Sequence, residues 1–513
     1  AYALLLVVIA SGGCATLPDN DHRTSSFSYA DTQDTRLGRA FLAQREAHPD
    51  RSGFLLLGSG LDALVARAAL ARAAERSIDA QYYLLHDDLT GHFFIGELLK
   101  AADRGVRVRL LVDDMDLEGR DIGAAALDTH PNIEVRIFNP FVRNVSRLSQ
   151  FVTRFGSVTR RMHNKSFTVD SQATVLGGRN IGDEYFEANP ALAFGDLDVL
   201  GIGPVAREVS VSFDAYWNHP LAYPASSLVD QLPDDETVAR LRARHEALIA
   251  AEADSEYFRA LHNSQLARQL QAGELRLLWG GAGVVADDPE KLIAERNKKE
   301  LHLTEALGPY FRDLAQELII FSPYFVPGRE GVDYFTALVE RGVRVRILTN
   351  SLASTDVPVV HAGYARHRRA LLRAGVELYE MNRQLTPEQR EGRKLITGSS
   401  KASLHAKSFV IDSRWLFIGS LNLDPRSVVE NTEVGVVIDA PEIAQSMVDW
   451  FDQDVQRVAF QVTLEDDGDG GEQLRWSGYD EGERLVFDVE PHTHIWQRIG
   501  VTLMRLLPID SQL

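Results

Sequence analysis

Cysteine is the scarcest residue in this chain: 513 residues carry one, Cys14. No intrachain disulfide can therefore form, and no cysteine-based zinc site can be built. Positive charge is also short. Lys and Arg number 54 against 73 Asp and Glu, a formal net charge of −19. A general nucleic-acid coat is ordinarily basic, so this balance counts against that role while leaving room for a local basic site. Long apolar runs are missing too. Ala1–Ala10 is apolar but too short to span a bilayer as a stable helix, and no other segment is long and apolar enough. What remains is an ordinary globular balance, 45% hydrophobic and 25% charged, which excludes a disordered or low-complexity chain. At about 100–200 residues per domain, the length calls for more than one domain or one large two-part unit.

The chain repeats itself. Arg104-Gly-Val-Arg-Val-Arg-Leu-Leu111 recurs 237 residues later as Arg341-Gly-Val-Arg-Val-Arg-Ile-Leu348. Each copy follows an apolar helical pattern, turns at its Gly, and runs into an alternating strand. Strand-like runs flank both copies, Ile78–Leu85 and Ile133–Phe138 around the first, Leu318–Val326 and Val376–Tyr379 around the second. Alternating strands and helices predict an α/β fold with a largely parallel or mixed sheet and helices on its faces. The reading divides the chain into an N-terminal segment and linker (1–39), a first half (40–220), a helical connector (221–272), a second half (273–463) and a tail (464–513). The acidic, Gly-rich Glu465–Glu472 reads as a loop or flexible joint. In the tail, Trp496, Ile499, Leu503 and Leu506 share one helical face, which predicts a helix docked on the core or, alternatively, a membrane-surface contact.

A second repeat carries the chemistry. His163, Lys165, Asp170, Gly177, Gly178 and Asn180 are matched 242 residues later by His405, Lys407, Asp412, Gly419, Ser420 and Asn422, with identical spacing. A duplicated core keeps apolar residues. Here the repeated residues are His, Lys, Asp and Asn, which are costly to bury without a purpose. Residues two apart on a strand share a face, so each His points the same way as its Lys. The glycines let backbone pass close to a neighbour. Two ammonium groups and several amide donors make a pocket for an anion, most naturally a phosphate diester, with no metal or cofactor required for the charge. Imidazole is a good nucleophile toward phosphorus and a good proton donor near neutral pH. One His from each half supplies the two roles of a two-step phosphoryl transfer.

These paired motifs resemble the HKD signatures of the phospholipase D superfamily. The resemblance implies two pseudo-twofold-related α/β/α sandwich halves with the active site at their interface, and a phosphohistidine intermediate. It implies His163 as nucleophile and His405 as general acid and then base, the reverse assignment being the alternative. Lys165, Lys407, Asn180 and Asn422 would hold phosphate oxygens, with Gly178 and Ser420 beside them. Asp170 and Asp412 complete the catalytic motif, although their place off the His/Lys face, near a turn, points to fixing local structure. Asp198 and Glu433 follow the two motifs and are candidates to orient the imidazoles, in an alignment that needs a gap.

Further stretches look like the cardiolipin synthases, specifically the C-type class without transmembrane helices: Arg161–Asp170, Gly177–Phe186, Asp424–Ser427 with Asn431–Glu433, and Leu507–Leu513. That resemblance implies phosphatidyl transfer onto phosphatidylglycerol, with phosphatidylethanolamine as a plausible donor. The basic stretch Arg143 to Lys165 carries no Asp or Glu and is interleaved with apolar residues, which predicts attraction to an anionic lipid surface. A second cluster is Arg366, Arg368, Arg369 and Arg373. Cys14, after an apolar run and small residues, resembles a bacterial lipoprotein attachment site, although Ser11 stands where Leu is usual. It predicts a membrane-anchored protein of the cell envelope facing the periplasm. The alternatives are a hydrolytic phospholipase D, a nuclease of the same superfamily, and a non-catalytic lipid-binding envelope protein. No nucleic-acid partner is expected, and the sequence does not set an oligomeric state.

Overall fold

The computed structural model describes residues 16–21, 23–189, 193–383, 402–480 and 483–505. Cys14 and Leu506 lie outside the described residues. No described helix is long and apolar enough to cross a membrane.

The halves are two copies of one sheet. In the first, β1 (Ser52–Leu57), β8 (Asp198–Ile202), β6 (Ala173–Gly177), β5 (Ser166–Val169), β2 (Ser77–Tyr82), β3 (Arg107–Asp113), β4 (Ile133–Phe138) and β9 (Ala222–Pro224) lie side by side. In the second, the same order runs β10 (Leu278–Ala286), β17 (Val434–Asp439), β16 (Trp415–Gly419), β15 (Ser408–Ile411), β11 (Glu317–Phe321), β12 (Arg344–Asn350), β13 (Glu377–Met381) and β18 (Ala459–Asp466). The central trio of each half is parallel and its flanks antiparallel, so the sheet is mixed. Ser52, Gly53 and Phe54 of β1 pair with Gly280, Trp279 and Leu278 of β10, which joins the two sheets into one. Helices cover both faces, as buried parallel strands require.

The first repeat explains itself here. Gly105 and Gly342 sit at φ +93° and +88° just past the helices Leu89–Asp103 and Gly328–Glu340, a left-handed conformation that Gly adopts without strain. The last Arg of each copy is buried and paired, Arg109 with Asp79 and Asp214, Arg346 with Glu317 and Asp452. The acidic stretch 465–472 is the turn of a hairpin rather than a flexible joint. β18 pairs there with β19 (Glu472–Asp480), and β20 (Glu483–Phe487) follows, so part of the tail extends the second sheet. The connector holds three helices, Asp235–Ala251, Glu256–His262 and Gln265–Ala272.

Two surface expectations are corrected. The basic residues after Arg143 are mostly turned inward. Arg143 pairs with Asp114 and Asp121, Arg147 with Asp114 and Glu118, Arg160 with Glu430, and buried Arg161 with Asp113. Arg368 is likewise buried, on Glu380 and Glu490. Among its described residues, the large apolar side chains that stretch exposes are Leu148 and Val152 of the helix Arg147–Thr153, at 77% each. The helix Ile495–Met504 docks through Val501 and Met504, against Leu352 and Ala362, so Trp496, Ile499 and Leu503 face solvent instead of the core.

Candidate active site

Both motifs lie on equivalent hairpins. His163 and Lys165 run into β5, and His405 and Lys407 run into β15. Asp170 and Asp412 open the tight turns that follow, at φ +50° and +51°. The two aspartates do not reach the imidazoles. Asp170 accepts the backbone amides of Glu75, Arg76 and Ser77, and Asp412 those of Ala315, Gln316 and Glu317. The geometry thus makes them turn anchors that tie each hairpin to the start of its neighbouring strand, not catalytic groups.

Each imidazole is completed from the opposite half. His163 Nδ1 donates to the Glu433 carboxylate at 2.8 Å, and His405 Nδ1 donates to Asp196 Oδ2 at 2.5 Å. Backbone pairing enforces the exchange. Met162 bridges Thr432, with His163 N–H donating to Thr432 O at 2.9 Å. β14 (Ala402–Leu404) runs parallel to β7 (Ala193–Gly195), with His405 N–H donating to Gly195 O at 2.7 Å. Asp287 holds Glu433 in place by accepting its backbone N–H at 2.8 Å.

Asp198, expected to orient an imidazole, instead pairs with buried Arg67 and Arg179. Asp196 takes its place. Gly178 permits the approach, because a Cβ there would sit 2.3 Å from Asp196 Oδ1. At the equivalent position Ser420 has room for a side chain, whose Oγ accepts Val434 N–H at 3.0 Å.

The site is nearly closed. His163 is 8% and His405 6% exposed, and both lysines are buried. Each lysine Nζ donates to the carbonyl of its own histidine at 2.5 Å. Tyr83 packs edge-on to His163 at 4.9 Å, while Tyr185 and Phe194 enclose His405 at 5.2 and 5.1 Å. Asn180 is engaged on both sides, donating to Tyr185 Oη at 2.9 Å and accepting Leu84 N–H at 3.2 Å. Asn422 Oδ1 is buried with no hydrogen-bond partner among the described residues.

Burial governs the proton affinities. It holds His163 well below its ordinary value, reinforced by Lys165, Lys407 and His405. His405 is lowered by burial and Lys407 but supported by Asp196. Burial also holds Lys165 well below the usual lysine range and pushes Lys407 down to about 8. The acids diverge. Burial pushes Glu433 up to about 8 against the pull of Lys165. For Asp196, burial is outweighed by His405 and Lys407, and the group lies below its ordinary value. An arriving phosphate would restore charge to the lysines, since an opposite charge favours the protonated form.

Two copies of an α/β sandwich, facing each other across paired His and Lys residues, define the phospholipase D fold. The chain belongs to the family described as cardiolipin synthase, PLD-like domain, whose pattern matches residues 67–217 and 313–455. It is 41% identical over 483 residues to cardiolipin synthase C of Escherichia coli (strain K12), spanning 93% of this chain and 99% of that one. Cardiolipin synthase B of the same strain is 24% identical over 384 residues, 74% of this chain and 75% of that one. The crystal structure of phosphatidylserine synthase from Haemophilus influenzae Rd KW20 shares the fold, with TM-score 0.52 and 16% identity over 82% of this chain and 92% of that one. The chain is an enzyme of the phospholipase D superfamily, among its phosphatidyltransferases.

Proposed function

We propose that the protein transfers a phosphatidyl group from a donor phospholipid to phosphatidylglycerol and so makes cardiolipin. The observation that carries this reading is the crossed arrangement of the site, in which two imidazoles, each backed by an acid of the other half, stand over two buried lysines. His163 Nε2 attacks phosphorus. The bond to the head-group oxygen breaks, and His405 donates the proton that this oxygen takes. A glycerol hydroxyl of phosphatidylglycerol then attacks phosphorus, His405 accepts its proton, and the bond to His163 breaks. A depressed proton affinity keeps His163 free to attack, and Asp196 favours the protonated form of His405, which supports this assignment over its reverse. Lys165 and Lys407 would neutralise the phosphate oxygens, and Asn422 would offer them its Nδ2 amide, which here donates to Ser427 Oγ at 3.3 Å.

The enclosed, aromatic-lined site favours a lipid acceptor over water. A membrane-surface role is supported by the exposed apolar faces of Arg147–Thr153 and Ile495–Met504. Both hang from the carboxyl ends of equivalent strands. Arg147 bonds to Asp114 and Met115 O just past β3, and Val501 packs on Leu352 just past β12. The test is to give the purified protein phosphatidylglycerol vesicles, with and without phosphatidylethanolamine, and read products by mass spectrometry. Cardiolipin is expected. Phosphatidic acid alone would make the enzyme a hydrolase. A phosphohistidine trapped in His405→Ala and absent from His163→Ala is expected, and the opposite pattern reverses the two roles.

A further inference from the structure

Away from the two histidines, a half-open cavity of about 700 Å³ lies between the first half and the connector. That lies within the range of about 300–1,000 Å³ of ordinary ligand sites. Its floor is the face of the parallel strands that carries Val112 and Ile137, its wall includes Leu99, and its roof is the connector helix Asp235–Ala251. The roof is unusual. Over 17 residues it has no fully buried side chain, although Val238 and Leu241 point inward at helical spacing and are half-buried. A helix that closes a packed core buries its apolar stripe completely. This one spans a groove whose sides, Ile95, Leu99, Ile122 and Leu127, stay partly open while the strand floor beneath is packed.

One loop separates the hollow from the catalytic residues. Tyr83 packs on His163 and Leu84 N–H is held by Asn180, while the next residues, Leu85 and His86, line the hollow. His86 bonds Asp116 at 2.9 Å and Glu184 at 3.1 Å, and the residue after Glu184 packs on His405. The rim carries Arg120, Arg242 and Arg244 against Asp87 and Asp235. Apolar walls with a charged rim beside a phosphate-handling site suit an amphiphile whose tail runs inward.

We propose that this hollow is an acyl-chain site, which takes one long chain of the phospholipid whose phosphate is held between His163 and His405. The assignment rests on the function proposed above and adds the place where substrate chain length is sensed. The chain enters past Leu85, and its terminal methylenes lie beneath Val238 and Leu241. A free fatty acid presents the same chemistry, so the test separates the two sources.

Gly123 lines the hollow, and a Cβ there meets nothing within 4 Å, so a larger residue grows into the space without a clash. The full chain is mixed with phosphatidylglycerol vesicles whose acyl chains end in a diazirine, irradiated, and mapped by peptide mass spectrometry. Labelling is expected on the segment 235–251. It should fall at least about fivefold in Gly123→Leu and partway in Gly123→Ala, with unchanged melting temperatures. Binding of soluble phospholipids should weaken by up to about fourfold per methylene removed, from about 0.8 kcal/mol each. Labelling elsewhere, or labelling that Gly123→Leu leaves unchanged, overturns the site. Equal labelling by a diazirine fatty acid that phosphatidylglycerol does not displace overturns the assignment to substrate. Labelling needs no turnover, so it stands even if the products are not cardiolipin. Conversely, cardiolipin made with no preference for chain length leaves the function standing and removes the site.

Discussion

Glu433 and Asp196 occupy matching places yet hold their protons differently, and that difference has a consequence for stability. An unfolded glutamate titrates near 4.3, whereas in the folded site Glu433 is pushed up to about 8. The folded state thus binds a proton that the unfolded chain has released. The cost of burying the group is absent at low pH, grows as pH rises from about 4.3 to about 8, and is constant above. Glu433→Gln is therefore expected to raise the melting temperature at pH 8 and to leave it nearly unchanged at pH 4.5, in melts across that range. The same variant loses the orientation of His163 and should slow transfer at least about 100-fold. Gly178→Ala is expected to keep the fold but drive Asp196 off His405, which should lower the rate about 10- to 100-fold. Rates measured beside circular-dichroism melts check both effects.

The histidines, lysines and asparagines were legible from spacing alone, because a duplicated motif repeats its polar residues in step. Asp196 was not. Strand register decides it: Gly177 pairs with Asp198, and Gly419 pairs with Gly435, so Asp198 is the counterpart of Gly435 and Asp196 that of Glu433. Two aspartates two residues apart cannot be told apart until that pairing is known.

At the scale of elements, the short parallel pairings at Met162 with Thr432 and at β7 with β14 set the site, and neither is readable from local sequence. The core strands were readable, since their apolar runs are continuous. The basic stretch misled because charge in sequence says nothing of partners: Asp113, Asp114 and Asp121 lie on other elements and neutralise it. Membrane contact through Ile495–Met504 would accordingly be apolar. Trp496 is 78% exposed, on the face shared with Ile499 and Leu503. Trp496→Glu is expected to lower vesicle binding at least about tenfold, since burying a large aromatic side chain is worth about 1.5–3 kcal/mol. Raising salt to about 1 M should change binding far less, because screening acts on exposed charges. Co-sedimentation with vesicles measures both.

The whole molecule is one sheet running across two halves, with acid and imidazole exchanged between them. Neither half has a finished site alone. Calorimetry is therefore expected to show the halves unfolding in a single transition, and Glu433→Gln should move that transition without splitting it. Two separated transitions would contradict the coupling. The net charge of −19 says little about the lysine pair at its centre, because that pair is sealed from solvent.

The exchange of acids also bears on descent. A lone copy of this unit could finish its site only against a second identical copy, and both acids would then have been the same residue. Joining the copies in one chain removed that constraint. Asp could settle in one half and Glu in the other, and Gly178 could remain bare where Ser420 gained a hydroxyl.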